Sequence, residues 1–283
     1  MRSVGQLAVW VAGEVRTAES AVVSALDHGI TVGDGVFETC KITDGLPFAL
    51  TRHLDRLDRS AIGLGLPAPD HATVRDAVKA VLAVRHVEFG RLRITWTGGP
   101  GPLGSDRGDQ PPTLIVAATP VEAWPTGVGA VRVPWIKNER GATAGLKTTS
   151  YAENVVALQY AHARGGSEAL FANTLGNLCE GTGSNVFVVV DGELVTPPLD
   201  AGPLAGITRA LLLEWAVEEG LPCVERDLPF DVLQTAEEVL LTSSTRDVQP
   251  VAHLDGRLLT PGELTTAAIE LFTRRSAENP DPA

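Results

Sequence analysis

Two Asp-Gly pairs, Asp44-Gly45 and Asp191-Gly192, each separate two runs rich in strand-forming residues, one pair in each half of the chain. Aspartate and glycine tolerate the left-handed backbone of a two-residue hairpin turn, so each pair predicts two tightly joined antiparallel strands. The first joins Val36-Phe37-Glu38-Thr39-Cys40-Lys41-Ile42 to Leu46-Pro47-Phe48-Ala49-Leu50; the second turns back the apolar strand 185–190. Elsewhere the period is helical. Leu54, Leu57, Ala61, Ile62 and Leu64 mark a helix over 51–66, and further helices are predicted at 73–85, at 151–163 before Arg164-Gly165-Gly166, from Gly206 to Glu219, and at 263–275. Interleaved strands and helices over 283 residues predict a mixed α/β (α+β) chain of two domains. Their expected bounds are 1–119 and 129–283, the second carrying Lys147, with a linker at 120–128; the tail at 278–283 is expected to fray.

Composition narrows the function. A net charge of −12 and a pI of about 4.9 disfavour nucleic acid and anionic membrane surfaces as partners. Arg2 precedes only a short apolar run at 7–13, and no stretch approaches the roughly 20 apolar residues of a membrane span. Cys40, Cys179 and Cys223 are widely spaced, which suits neither a disulfide framework nor a zinc site and predicts a soluble cytoplasmic protein without a metal.

Four segments carry candidate chemistry. Lys147 follows the small apolar Ala144-Gly145-Leu146 and precedes a helix. A lysine there is either a solvated surface charge or, when partly desolvated, a nucleophile. Glu180 stands before a strongly apolar strand, where a covered carboxylate needs a hydrogen-bond or cationic partner. Gly206-Ile207-Thr208-Arg209 opens a helix, whose free amides suit a phosphate. Thr242-Ser243-Ser244-Thr245 ends a strand as either a plain turn or a second phosphate grip. His53 and Arg56 share a helix face that reads equally as solvated surface, and the Gly/Pro loop 98–108 is long enough to suggest a functional role.

Taken in order, Gly33-Asp34-Gly35-Val36-Phe37-Glu38, His53-Leu54-Asp55-Arg56-Leu57, Lys147, Glu180-Gly181-Thr182-Gly183-Ser184-Asn185-Val186-Phe187, Gly206-Ile207-Thr208-Arg209 and Thr242-Ser243-Ser244-Thr245 resemble the class IV aminotransferases, the fold-type IV pyridoxal phosphate enzymes. The resemblance covers nearly the whole chain. It implies two α/β domains with pyridoxal 5′-phosphate in the cleft between them, and a homodimer whose loops complete each other's sites. It also implies that Lys147 carries the cofactor covalently and moves the substrate's α-proton, that Glu180 faces the pyridine nitrogen, and that Arg56, Gly206, Ile207, Thr208 and Ser244 hold the phosphate. Tyr151 is the candidate phenol beside the ring, one residue closer to the lysine than in branched-chain enzymes. Phe37 and Arg107 are the candidate substrate contacts, Arg107 for the carboxylate of a small amino substrate.

Members of this family differ in reaction. Thr39, the run into Lys147 and Glu153 resemble the lyases, whose threonine is thought to assist proton transfer; Glu38 and the Gly206 to Arg209 segment resemble the aminotransferases at least as well. The favoured expectation is a 4-amino-4-deoxychorismate lyase-like enzyme of folate biosynthesis that releases pyruvate and 4-aminobenzoate. The alternative is an aminotransferase for D-amino or branched-chain amino acids with a 2-oxo acid acceptor, and a noncatalytic binding protein is the remote third.

Overall fold

The computed structural model describes residues 7–283; Arg2 and Gln6 lie outside them. The chain divides into two compact units. The first holds 7–123, 146–150 and 280–283, and the second holds 124–145 and 151–279.

In the first unit the elements run β1 (Ala8–Val11), β2 (Glu14–Thr17), α1 (His28–Thr31), β3 (Gly35–Thr43), β4 (Leu46–Pro47), α2 (Leu50–Gly63), α3 (His71–Val84), β5 (Phe89–Thr97) and β6 (Thr113–Pro120). The six strands form one antiparallel sheet in the order β2-β1-β6-β5-β3-β4. Asp44 and Gly45 both have positive φ, 49° and 76°, as the hairpin turn between β3 and β4 demands. Because side chains alternate across a strand, Val36, Cys40, Ile42, Leu92, Ile94 and Val116 share one face. That face packs on Leu54, Leu57 and Ala61 of α2 and Val74, Val78 and Val81 of α3 in a single apolar cluster. Burying each of the larger side chains contributes roughly 1.5–3 kcal/mol. The other face of β3 and β5 carries Phe37, Thr39 and Lys41 beside Thr95, Arg93 and Arg91.

The second unit comprises β7 (Val128–Lys137), α4 (Ala152–His162), β8 (Glu168–Asn173), β9 (Leu178–Gly181), β10 (Asn185–Val190), β11 (Glu193–Thr196), α5 (Ile207–Glu219), β12 (Cys223–Glu225), α6 (Val232–Thr235), β13 (Val239–Ser243), β14 (Asp247–Leu254), β15 (Arg257–Leu258) and α7 (Glu263–Glu278). Its sheet is mixed, ordered β12-β11-β10-β13-β14-β7-β8-β9 with β15 on β14; the β11/β12, β14/β7 and β7/β8 pairs are parallel. Asp191-Gly192 makes the expected turn between β10 and β11, with φ of 52° and 79°.

Three placements depart from the sequence reading. The Lys147 segment counts with the first unit, although it lies in the second half of the chain. Phe37 N–H donates to Lys147 O at 2.9 Å, Val36 bridges Thr148, and Thr149 N–H donates to Gly35 O at 2.7 Å, so 147–149 lies along the edge of β3. Glu180 stands ahead of the apolar strand β10 but itself belongs to a further short strand, β9, that the sequence did not mark. The tail is held in place: Asp281 accepts Thr51 N–H at 2.9 Å and the Thr51 hydroxyl at 2.6 Å, and Ala49 N–H donates to Pro280 O at 2.7 Å. The α2 N-cap residue, Ala49, gives no side-chain hydrogen bond, so the Asp281 carboxylate does the capping from 230 residues away.

Candidate active site

In the first unit the site grows from β3 and the strand-like segment beside it. The pairing of Val36 with Thr148 puts the Phe37 and Lys147 side chains on one face, and Lys147 Nζ lies 4.4 Å from the centre of the Phe37 ring. The Arg93 guanidinium stacks on the same ring at 3.3 Å. Half-buried Thr39 follows on that face, opposite Arg93 in the β3/β5 register. The expected lysine, threonine and phenylalanine therefore share one platform. Arg93, which the sequence reading passed over, belongs with them.

Behind the platform, α2 supplies the phosphate candidate. Lys147 N–H donates to Ser60 Oγ at 3.2 Å, and Ser60 is one turn beyond Arg56. Arg56 is buried, and its Nε and one terminal nitrogen each donate at 2.7 Å to Glu38. His53 Nδ1 lies 2.6 Å from Glu38 Oε2. Burial by itself would raise the Glu38 pKa, but the charge and hydrogen bonds of Arg56, with His53 adding to them, hold the carboxyl well below the usual range. Burial lowers the His53 pKa against the pull of Glu38, so the imidazole is neutral at pH 7 and Nδ1–H is the donor. The helix face that read as solvated is a sealed ionic cluster.

Arg107 is employed elsewhere in this unit. Its Nε and a terminal nitrogen donate to Asp34 at 2.7 Å each, and its terminal nitrogens also reach Leu64 O and Gly65 O at 2.7 Å. The Asp34 carboxyl is held low, first by the Arg107 hydrogen bonds. His28 Nε2–H donates to Pro102 O at 2.9 Å, and Gly101 N–H donates to Leu26 O at 3.0 Å. Together these contacts fasten the Gly/Pro loop to its own unit.

In the second unit, Glu180 Oε1 receives the Lys137 ammonium at 2.6 Å and Oε2 accepts Leu204 N–H at 2.9 Å. Desolvation would lower the Lys137 pKa, yet the Glu180 carboxylate outweighs it, so Lys137 is held charged. Leu204 lies just ahead of α5. Gly206, its N-cap, offers no side-chain acceptor to the first-turn amides of Ile207 and Thr208, both buried residues. A Cβ at Gly206 would run into Asn185, whose amide donates to Leu204 O at 2.8 Å; Asn185 in turn pairs with Thr242 across β10 and β13. Thr242 Oγ1 is a buried hydroxyl without a hydrogen-bond partner among the described residues, and Ser244 follows half-buried in the turn. Tyr151, also half-buried, is the N-cap residue of α4. Glu168 supports the far side of this region: it accepts Thr182 N–H at 2.8 Å and the Ser184 hydroxyl at 2.9 Å, with Arg246 3.3 Å away.

This donor set fits pyridoxal phosphate. In the second unit, uncapped helix-start amides and an orphan hydroxyl suit a phosphate dianion, and in the first a buried, held arginine suits the same group. A carboxylate with a little exposed surface suits a protonated ring nitrogen, and an amine over an aromatic ring suits the aldehyde.

Residues 35–254 match the Amino-transferase class IV family. The chain belongs to it. Across 273 residues it is 34% identical to a Methanocaldococcus jannaschii protein provisionally named a branched-chain-amino-acid aminotransferase, covering 93% of this chain and 94% of that one. It is 32% identical to the bifunctional aminodeoxychorismate lyase / D-amino acid transaminase of Mycobacterium tuberculosis, covering 93% and 99%. Among solved structures, a hypothetical aminotransferase from Mycobacterium tuberculosis with pyridoxal phosphate bound superposes with a TM-score of 0.83 at 30% identity, covering 94% and 97%. The chain is thus a class IV, pyridoxal phosphate-dependent enzyme with the mixed α/β two-domain fold of that class, acting on small amino and oxo acids. The relatives' names favour the aminotransferase alternative over the expected lyase: both of these relatives carry a transaminase name, and lyase activity is named beside transaminase activity in the bifunctional one.

Proposed function

We propose that this enzyme is an aminotransferase for D-amino or branched-chain amino acids that passes the amino group to a 2-oxo acid. The platform around Lys147 carries the reading: one aromatic ring, two threonines and one stacked guanidinium suit a small substrate with an apolar side chain and a single carboxylate. The names of the relatives point the same way.

In this reading Arg56, the α5 amides of Ile207 and Thr208, and the hydroxyls of Thr242 and Ser244 hold the phosphate, while Glu180 receives the ring nitrogen. The cofactor, when bound, supplies an electron sink for the substrate's α-carbon. Lys147 Nζ would hold the cofactor and, as a free amine, would accept the substrate's α-proton. Thr39, on the platform, would serve as a hydroxyl relay for that proton, and Arg93, on the same platform, joins Arg107 as a candidate for the substrate carboxylate. A substrate panel run with and without 2-oxo acid tests the reaction. Strict dependence on the acceptor is expected; pyruvate released from 4-amino-4-deoxychorismate with no acceptor present would instead support the lyase.

We further propose a cytoplasmic homodimer. Trp135, Ile136, Val155 and Val156 of the second unit expose 40% to 56% of their surfaces, an apolar load that suits a second copy. All three cysteines are free thiols, as a reducing compartment would keep them. Sedimentation at micromolar concentration should show twice the chain mass; a monomer would refute the dimer.

A further inference from the structure

We infer that Glu38 is a positioning residue for the cofactor's phosphate: it fixes the guanidinium of Arg56 without touching the ligand. The inference rests on the proposal that Arg56 binds that phosphate.

An arginine side chain has several rotatable bonds and loses much conformational freedom when a ligand fixes it. Here the loss is taken during folding. Glu38 grips Arg56 side-on, through Nε and one terminal nitrogen at 2.7 Å each, so the plane and direction of the whole guanidinium, including its other terminal nitrogen, are set. The carboxylate is itself immobile. It has no exposed surface, His53 Nδ1–H holds one of its oxygens at 2.6 Å, and it sits mid-strand on β3. Two residues anchor the helix from the other side, since Ser60 binds the backbone of Lys147 and Asp281 caps the α2 N-terminus. The strand that presents Phe37 to the lysine thereby presents Glu38, on its opposite face, to the arginine. One β-strand sets both ends of the cofactor.

Balancing a buried charge would be a purely structural role, and comparison of two ligands separates it from positioning. Pyridoxal has the ring and aldehyde of the cofactor but lacks the phosphate. Dissociation constants for pyridoxal phosphate and pyridoxal, read by absorbance in phosphate-free buffer, are compared in wild type, Glu38→Gln, Arg56→Gln and the double variant. Glutamine keeps the shape of Glu38 but turns a donor toward Arg56 and His53, which breaks the grip. Glu38→Gln is expected to weaken pyridoxal phosphate binding roughly 3- to 10-fold, the cost of immobilising one flexible side chain, with pyridoxal unchanged. In the Arg56→Gln background it should add nothing, because its effect passes through Arg56. Equal weakening toward both ligands, or an undiminished effect in the double variant, overturns the inference. If Arg56→Gln weakens pyridoxal phosphate and Glu38→Gln does not, the inference fails while Arg56 keeps its role; if Arg56→Gln is itself without effect, the phosphate reading fails first. Should Glu38→Gln not fold, Glu38→Asp keeps the buried charge but draws it back from Arg56, and the same selective loss is required of it.

Discussion

Each unit centres a candidate site on a glutamate paired with a cation, and the two pairs differ in how far water can reach them. Glu38 has no exposed surface, and Arg56 and His53 use both its oxygens. Glu180 keeps 10% of its side chain exposed, and its Lys137 partner 19%. A carboxylate with no exposed surface can orient a neighbour but cannot itself meet a ligand, whereas one that keeps some exposed surface can exchange a partner for one. The proposed function places Glu38 in the scaffold and Glu180 in the chemistry, and the difference in exposure fits that division.

Removing each carboxylate is the largest test of that contrast. Glu38→Ala leaves a buried arginine uncompensated and is expected to lower stability by about 3–5 kcal/mol in denaturant unfolding. Glu180→Ala leaves Lys137 with some access to water and should cost less stability than Glu38→Ala, but roughly 10²–10³-fold in turnover. Reversed effects would dissolve the distinction.

Acid probes the sealed pair next. His53 has a lowered folded pKa, so below about 6.5 the unfolded chain takes a proton that the folded chain declines. Stability is therefore full above that pH and falls as pH drops, by up to about 1.4 kcal/mol per pH unit for each such proton. Glu38, also lowered, adds a second proton and a steeper fall below about 4.5. Unfolding free energies of the apo enzyme from pH 8 to 4 check both, and His53→Gln should flatten the first segment alone.

Asp281→Ala should cost about 1 kcal/mol, the value of a helix cap, and that loss should appear as faster amide exchange at the start of α2. The smallest effect concerns the thiols. Burial raises the pKa of Cys40 and Cys179 and pushes Cys223 up to about 12, so alkylation of the native protein at pH 8 should be negligible over minutes and become rapid in denaturant.

Local signals were legible in the sequence and partnerships were not. Asp44-Gly45 and Asp191-Gly192 fix their turns through their own backbone preferences, so the hairpins could be read directly. The Lys147, Glu180 and Thr208 motifs stood out as candidates because each lies in a short, recognisable segment. The partner of Arg56 could not, since Glu38 is on another element and only the β3/α2 packing brings them together. Lys137 could not be singled out for the same reason: its acceptor is 43 residues on. Tail fraying was the natural expectation for a chain end, but it ignored an uncapped helix elsewhere that an aspartate could serve.

The central claim is that Lys147 is the lysine that carries the cofactor. Borohydride reduction of the enzyme incubated with pyridoxal phosphate, followed by peptide mass mapping, tests it directly. The account predicts one reduced pyridoxal phosphate adduct, on the peptide containing Lys147, and none in Lys147→Ala. An adduct on Lys137 or another lysine, or a wild-type protein that takes up no label, would contradict it.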